Sequence, residues 1–143
     1  MAVLLKDRIN FKHGGFEFDI KLREGITIIL GDSATGKSLF YKNLETIVIA
    51  EDLKGFRLLN YKSKILVDVV SVLSESNKII VVDNADILLK GIPYLNRIFK
   101  QSKSQFIIFG RQGGWYNINK YNCAHMYESN RKFQLQYLFE KEM

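Results

Sequence analysis

Three short runs constrain this chain more than any other feature. Ile26 to Leu30 (ITIIL), Lys78 to Asp83 (KIIVVD) and Phe106 to Phe109 (FIIF) are each built around continuously apolar, largely β-branched residues. A strand with one wet face alternates apolar and polar side chains. A strand apolar on both faces must be covered on both, as happens in the middle of a parallel sheet.

The segments between these runs supply the cover. Leu39, Phe40, Leu44, Ile47 and Val48 fall near helical spacing, which predicts a helix from Lys37 to about Ala50. Phe56 to Tyr61 reads as a short strand. Apolar residues at 65, 66, 69, 70 and 73 put a helix over Ile65 to Leu73, and Asp86 to Phe99 reads as a helix that Pro93 kinks or interrupts. Strands alternating with helices imply a parallel sheet with crossover helices. Phe16 to Leu22 (FEFDIKL) instead alternates with period two before a turn at Arg23-Glu24-Gly25. Met126 to Phe139 reads as two strands around Glu128-Ser129-Asn130-Arg131, with Phe133, Leu135, Tyr137 and Phe139 on one face. At 143 residues, with one proline and no repeat or low-complexity tract, residues 1–143 read as a single domain.

Composition narrows the class further. Apolar residues at 47% and charged residues at 25% are ordinary for a globular chain and exclude disorder. The net charge of +6 favours anionic partners. The single cysteine, Cys123, cannot form an intrachain disulfide, and the opening Met1 to Leu5 is too short for a signal-peptide core. No apolar run approaches the ~18 residues of a membrane span. The expectation is a soluble, cytoplasmic protein with no membrane segment.

Gly31-Asp32-Ser33-Ala34-Thr35-Gly36-Lys37-Ser38 matches G-x-x-x-x-G-K-[ST] at every fixed position, directly after a buried strand and before a helix. Two glycines let the backbone curl around an anion, so that successive N–H groups and the helix N-terminus face phosphate oxygens. The expected nucleotide site therefore runs from Gly31 through Leu39. Lys37 would reach the β and γ phosphates, and the Ser38 hydroxyl would supply one oxygen to Mg²⁺.

On this loop the sequence resembles the P-loop NTPases. The resemblance implies a three-layer α/β fold with a mainly parallel sheet and antiparallel strands at the N- and C-terminal ends. It also implies ATP or another nucleoside triphosphate as ligand, and an apolar strand ending in an aspartate that helps hold Mg²⁺; Ile79-Ile80-Val81-Val82-Asp83 fits that strand. Within the superfamily the layout looks most like a minimal core of the ABC-type and related ATPases, lacking their signature motif and helical subdomain. The position after Asp83, where that family places a water-orienting glutamate, holds Asn84, a poor base at neutral pH. Hydrolysis is thus expected to be slow or to depend on a partner. Asp86 is the nearest spare carboxylate, read either as catalytic or as the N-cap of the following helix. After FIIF, Gly110-Arg111-Gln112-Gly113-Gly114 offers Arg111 as a phosphate sensor, in cis or toward a second copy of the chain.

Two other functions compete. One is a small-molecule or nucleoside kinase, which uses the same loop but needs an arginine-rich lid that is not evident. The other is a non-catalytic, nucleotide-gated module acting on nucleic acid or a protein partner. Two basic clusters bear on the latter: Lys54, Arg57, Lys62 and Lys64 with Phe56 and Tyr61, and Arg97, Lys100 and Lys103 at a helix end. A solvated face is the plainer reading of both. Trp115 and Tyr116 read as loop anchors or a stacking surface. His13, His125 and Cys123 show no zinc-like spacing.

Overall fold

The computed structural model describes residues 3–5, 7–31, 36–60, 68–92, 94–110 and 122–138. The chain opens with β1 (Val3–Leu5), β2 (Arg8–His13), β3 (Phe16–Lys21) and β4 (Ile26–Leu30), followed by α1 (Lys37–Ala50). Next come β5 (Phe56–Leu59), α2 (Val69–Leu73) and β6 (Ile79–Val82). The remainder is α3 (Ala85–Leu88), α4 (Leu95–Gln101), β7 (Gln105–Gly110), β8 (Cys123–Ser129) and β9 (Lys132–Tyr137).

All three buried runs form neighbouring parallel strands, with Ile26 to Leu30 in register with Phe106 to Gly110, and Ile79 to Val82 in register with Gln105 to Ile108. Their side chains divide as period two demands. Ile29, Val81, Ile107 and Phe109 enter one apolar cluster with Phe40, Tyr41 and Leu44 of α1. Ile28, Ile80, Val82, Phe106 and Ile108 enter a second cluster, on the other face, with Val69, Leu73, Leu88, Leu95 and Phe99 from α2, α3 and α4.

Among the described residues, nine strands form one continuous sheet in the order β1-β2-β3-β9-β8-β4-β7-β6-β5. This corrects the expectation of a three-layer fold with a mainly parallel sheet and antiparallel strands at the N- and C-terminal ends. The sheet is mixed, with five parallel and three antiparallel pairings. The expected end pieces are fused through a parallel pairing of β3 with β9, Glu17 opposite Lys132 and Phe18 opposite Phe133. Large rings on one face draw that half of the sheet around α1. Phe11, Phe18 and Phe133 pack with Phe40, at ring-centroid separations of 4.9 Å for Phe11–Phe18, 5.1 Å for Phe18–Phe133 and 5.6 Å for Phe18–Phe40. Strand twist accumulates in the same sense, and the sheet curls into a half-barrel.

Other local expectations also shift. The helix expected over Asp86 to Phe99 is two helices, α3 and α4, with Gly91 at φ +84° between them; Pro93 lies outside the described residues. Strand β5 ends at Leu59, and the helix expected from Ile65 is described only from Val69. The C-terminal hairpin turns at Asn130 and Arg131, φ +52° and +63°, two left-handed residues in succession, as a two-residue hairpin needs. β2 was not anticipated, and it joins β3 through Gly14 and Gly15 at φ +61° and +83° by the same logic.

Candidate functional site

In an open α/β sheet, the crevice outside the carboxyl ends of the strands lies where successive connections diverge. Here the chain leaves β4 for the far edge at β5, returns through β6 and β7, then passes beyond β4 to β8. The carboxyl ends of β4, β7 and β6 therefore lie side by side, in that order, with Leu30 opposite Gly110 and Val82 opposite Ile108.

A cleft of about 230 Å³ opens at this edge, lined by Lys37, Ser38, Asp83, Asn84, Asp86, Ile87, Phe109 and Gly110. Each lining residue is placed by a simple feature of its element. Lys37 and Ser38 open α1. Asp83 and Asn84 follow β6 immediately, and since Val81 and Asp83 are two apart, the Asp83 side chain leaves the sheet on the face that α1 covers. Gly110 ends β7.

The phosphate-loop motif is described at its two ends. Asp32, Ser33, Ala34 and Thr35 lie outside the described residues, as does Arg111. Gly31 has φ +123° and Gly36 has φ +93°, backbone settings that L side chains rarely adopt. Gly36 is constrained a second time: a Cβ there would stand 2.5 Å from Cε1 of Phe133. The end of the motif is thus backed by a ring from β9, itself packed against Phe16 and Phe18.

Electrostatics sharpen the picture. Lys37 is only 8% exposed and its ammonium donates a hydrogen bond to the Gly31 carbonyl, so the cation is folded back over the loop's opening. It stands in the first turn of α1, which carries no acidic residue and no side-chain cap, so a buried cation and the positive end of a helix coincide. Across the cleft, burial pushes the Asp83 carboxyl above its ordinary value, opposed by the Asn84 backbone N–H at 2.9 Å and by the charge of Lys37. Tyr41, one turn along α1 from Lys37, is 6% exposed. Its hydroxyl is buried without a hydrogen bond of normal geometry, the Asn60 amide lying beside it. Burial, then the charges of Glu45 and Asp83, push that phenol upward.

Asp86 is not the N-cap of the helix it opens. Asn84 holds that position at φ +53°, because the turn out of β6 needs a left-handed residue that asparagine tolerates better than most. Asp86 instead sits in the first turn of α3, its carboxylate facing Gly110 and the cleft. Among the described residues, no three His, Cys, Asp or Glu side chains group as metal ligands. The oxygen donors that do share the cleft, the Ser38 hydroxyl and the Asp83 carboxylate, suit a hard cation that keeps most of its waters and takes further oxygens from phosphate.

Of the first basic cluster, Arg57 pairs with Glu75 at 3.1 Å and donates to two backbone carbonyls, Phe56 is buried, and the exposed Lys54 lies 3.9 Å from Asp52. Tyr61, Lys62, Lys64, Trp115 and Tyr116 lie outside the described residues. Among the described residues, no helix is long and apolar enough to cross a membrane. Ile87 and Phe109 line the cleft and were not singled out as site residues. Phe109 is brought there by the pairing of β7 between β4 and β6, and Ile87 by the helix that follows β6, neither of which a local pattern reveals.

No family model matches this chain, nor does any curated protein or solved structure.

Proposed function

We propose that the chain is a P-loop-type nucleotide-binding domain that takes Mg²⁺-ATP at Gly31 to Leu39 and hydrolyses it slowly, or only with a partner. The observation that carries this reading is the convergence of Lys37, Ser38 and Asp83 on one cleft at the carboxyl edge of β4 and β6, with β7 between them. The finer fold assignment, a curled variant of the P-loop three-layer core, belongs to the same proposal.

In this reading the N-terminus of α1 and the loop N–H groups bind the phosphates. Lys37 exchanges its bond to the Gly31 carbonyl for phosphate oxygens, a gain in charge-assisted hydrogen bonding over a neutral acceptor. Ser38 and Asp83 would hold Mg²⁺, which when bound neutralises charge on the β and γ phosphates. Phe133 keeps the loop's last glycine in place. Asn84 offers no base, and Asp86 is the carboxylate across the cleft that could orient a water. Arg111 is proposed as the phosphate sensor. The lack of a base at 84 also favours the gated, non-catalytic module as the second reading.

Single-turnover measurement with trace labelled Mg²⁺-ATP, beside Lys37→Ala, tests this. Expected are binding that the variant loses and phosphate release far below the ordinary enzyme rate of ~10 s⁻¹. Full binding in Lys37→Ala would refute the site, and turnover near that rate without a partner would refute the slow chemistry.

A further inference from the structure

The whole net charge of the molecule sits in one stretch. Residues 87–127 contain six lysines and arginines, Lys90, Arg97, Lys100, Lys103, Arg111 and Lys120, and no aspartate or glutamate; the rest of the chain balances at fifteen of each sign. The four that fall on described residues, Lys90, Arg97, Lys100 and Lys103, are all exposed, and none forms an ion pair among the described residues. They belong to the α3–α4 segment that covers the sheet face opposite α1. Lys100, in the last turn of α4, also suits the helix dipole, so charge alone does not distinguish this surface from a solvated face.

Tyr94 does distinguish it. The residue stands at the head of α4, 71% exposed, with the Arg97 guanidinium 5.0 Å above its ring. The ring adds nothing to the core, because α4 is anchored by Leu95 and by Phe99, whose ring meets Phe106 edge-on at 5.0 Å. Its backbone is left-handed, φ +59° and ψ +26°, a setting that glycine or asparagine fills with ease and a bulky side chain does not. The fold thus holds an aromatic ring in a sterically disfavoured position, in water, under an arginine plane.

We propose that this surface binds single-stranded nucleic acid, Tyr94 and Arg97 stacking on a base while Lys90, Lys100 and Lys103 neutralise phosphates. An exposed ring with a guanidinium is a platform for a flat π-face, and a base offers that face when it is unpaired. An acidic protein would use the charges but not the platform. The seven-residue α4 is too short to read a duplex groove along its length. The proposal stands whether or not the cleft binds nucleotide.

The test is fluorescence anisotropy on the full chain without nucleotide, using labelled DNA and RNA single strands of about 20 thymidines or uridines, a blunt duplex of equal length, and poly-glutamate. The expected result is single-strand binding, DNA and RNA arms reporting which sugar is preferred, with a log–log salt slope near −2 for three neutralised phosphates. Tyr94→Asn should weaken binding about tenfold or more, the loss of one base stack, while raising the melting temperature because asparagine relieves the backbone. Arg97→Ala should weaken binding with little change in the slope, whereas Lys100→Ala should make the slope shallower by about 0.7. No binding at low salt, equal affinity for the duplex or for poly-glutamate, unchanged affinity in Tyr94→Asn, or a lowered melting temperature in that variant would each overturn the proposal.

Discussion

Gly36 and Phe133 are 97 positions apart and in contact, and the energy of that contact follows from geometry. The perturbation is Gly36→Ala, and two effects oppose it. The first is conformational: at φ +93° an L side chain costs about 1–2 kcal/mol. The second is steric. The new methyl would stand 2.5 Å from Cε1 and 3.0 Å from Cδ1 of Phe133, well inside contact distance. The ring cannot swing away cheaply, since it is buried and stacked within 9° of parallel on Phe18 and tilted against Phe16. Overpacking of this kind costs about 1–3 kcal/mol, giving a total near 2–5 kcal/mol. Phe133→Leu alone should cost about 1–2 kcal/mol for lost ring burial, less than a full truncation. In the double variant the clash vanishes while the conformational cost of Gly36→Ala and the lost ring burial remain, so its loss should fall short of the sum of the two single losses by about 1–3 kcal/mol. Urea unfolding of the four proteins, compared at a common m-value, measures that coupling. Additivity within about 0.5 kcal/mol would show that Phe133 does not back the loop, and the reasoning would fail.

Three further outcomes follow from buried polar groups. Asp19 is buried in a charged cluster on β3, and its hydrogen bond to Arg8 at 2.8 Å, with the charges of Arg8 and Lys132, holds its carboxyl below the ordinary 3.8. A depressed carboxyl stabilises the fold above its unfolded value and loses that contribution as pH falls through the folded one. Stability should therefore drop below about pH 4, and Asp19→Asn should flatten that drop while costing about 1–2 kcal/mol at neutral pH, read by urea titration across pH. Asp83 has the opposite sign: its raised carboxyl disfavours the charged fold at neutral pH, so Asp83→Asn should stabilise the nucleotide-free protein by about 0.5 kcal/mol in calorimetry and abolish any Mg²⁺-dependent gain with ATP. Removing the hydroxyl in Tyr41→Phe should stabilise the metal-free protein by about 1 kcal/mol, because that group is desolvated without a hydrogen bond; a loss of similar size would mean that Asn60 bonds it.

What could be read in advance divides along the range of the interaction. The buried strands were legible because ITIIL, IIVV and FIIF leave no wet face, and the turns at Gly31 and Gly36 because a positive φ favours glycine. The β2–β3 hairpin could have been found, since Ile9 and Phe11 alternate with polar residues up to Gly14-Gly15. The pairing of β3 with β9 could not, because nothing near Glu17 specifies Lys132 as its neighbour. The cap reading of Asp86 failed for a subtler reason. Asparagine at 84 met the left-handed turn first, which moved the aspartate into the cleft.

The fusion of β3 to β9 also bears on how the chain is made. Gly36 leaves the ribosome 97 residues before the ring that supports it, an interval that the N-terminal strands exceed in waiting for their parallel neighbour. At ordinary synthesis rates that interval is roughly 5–20 s, during which the edge of β3 and the aromatic face around α1 have no β9 to cover them. Closing so distant a pair is also slow, since loop entropy must be overcome before the contact repays it. Nascent chains stalled before Phe133 should accordingly engage holdase chaperones, and release from them should coincide with emergence of the final hairpin.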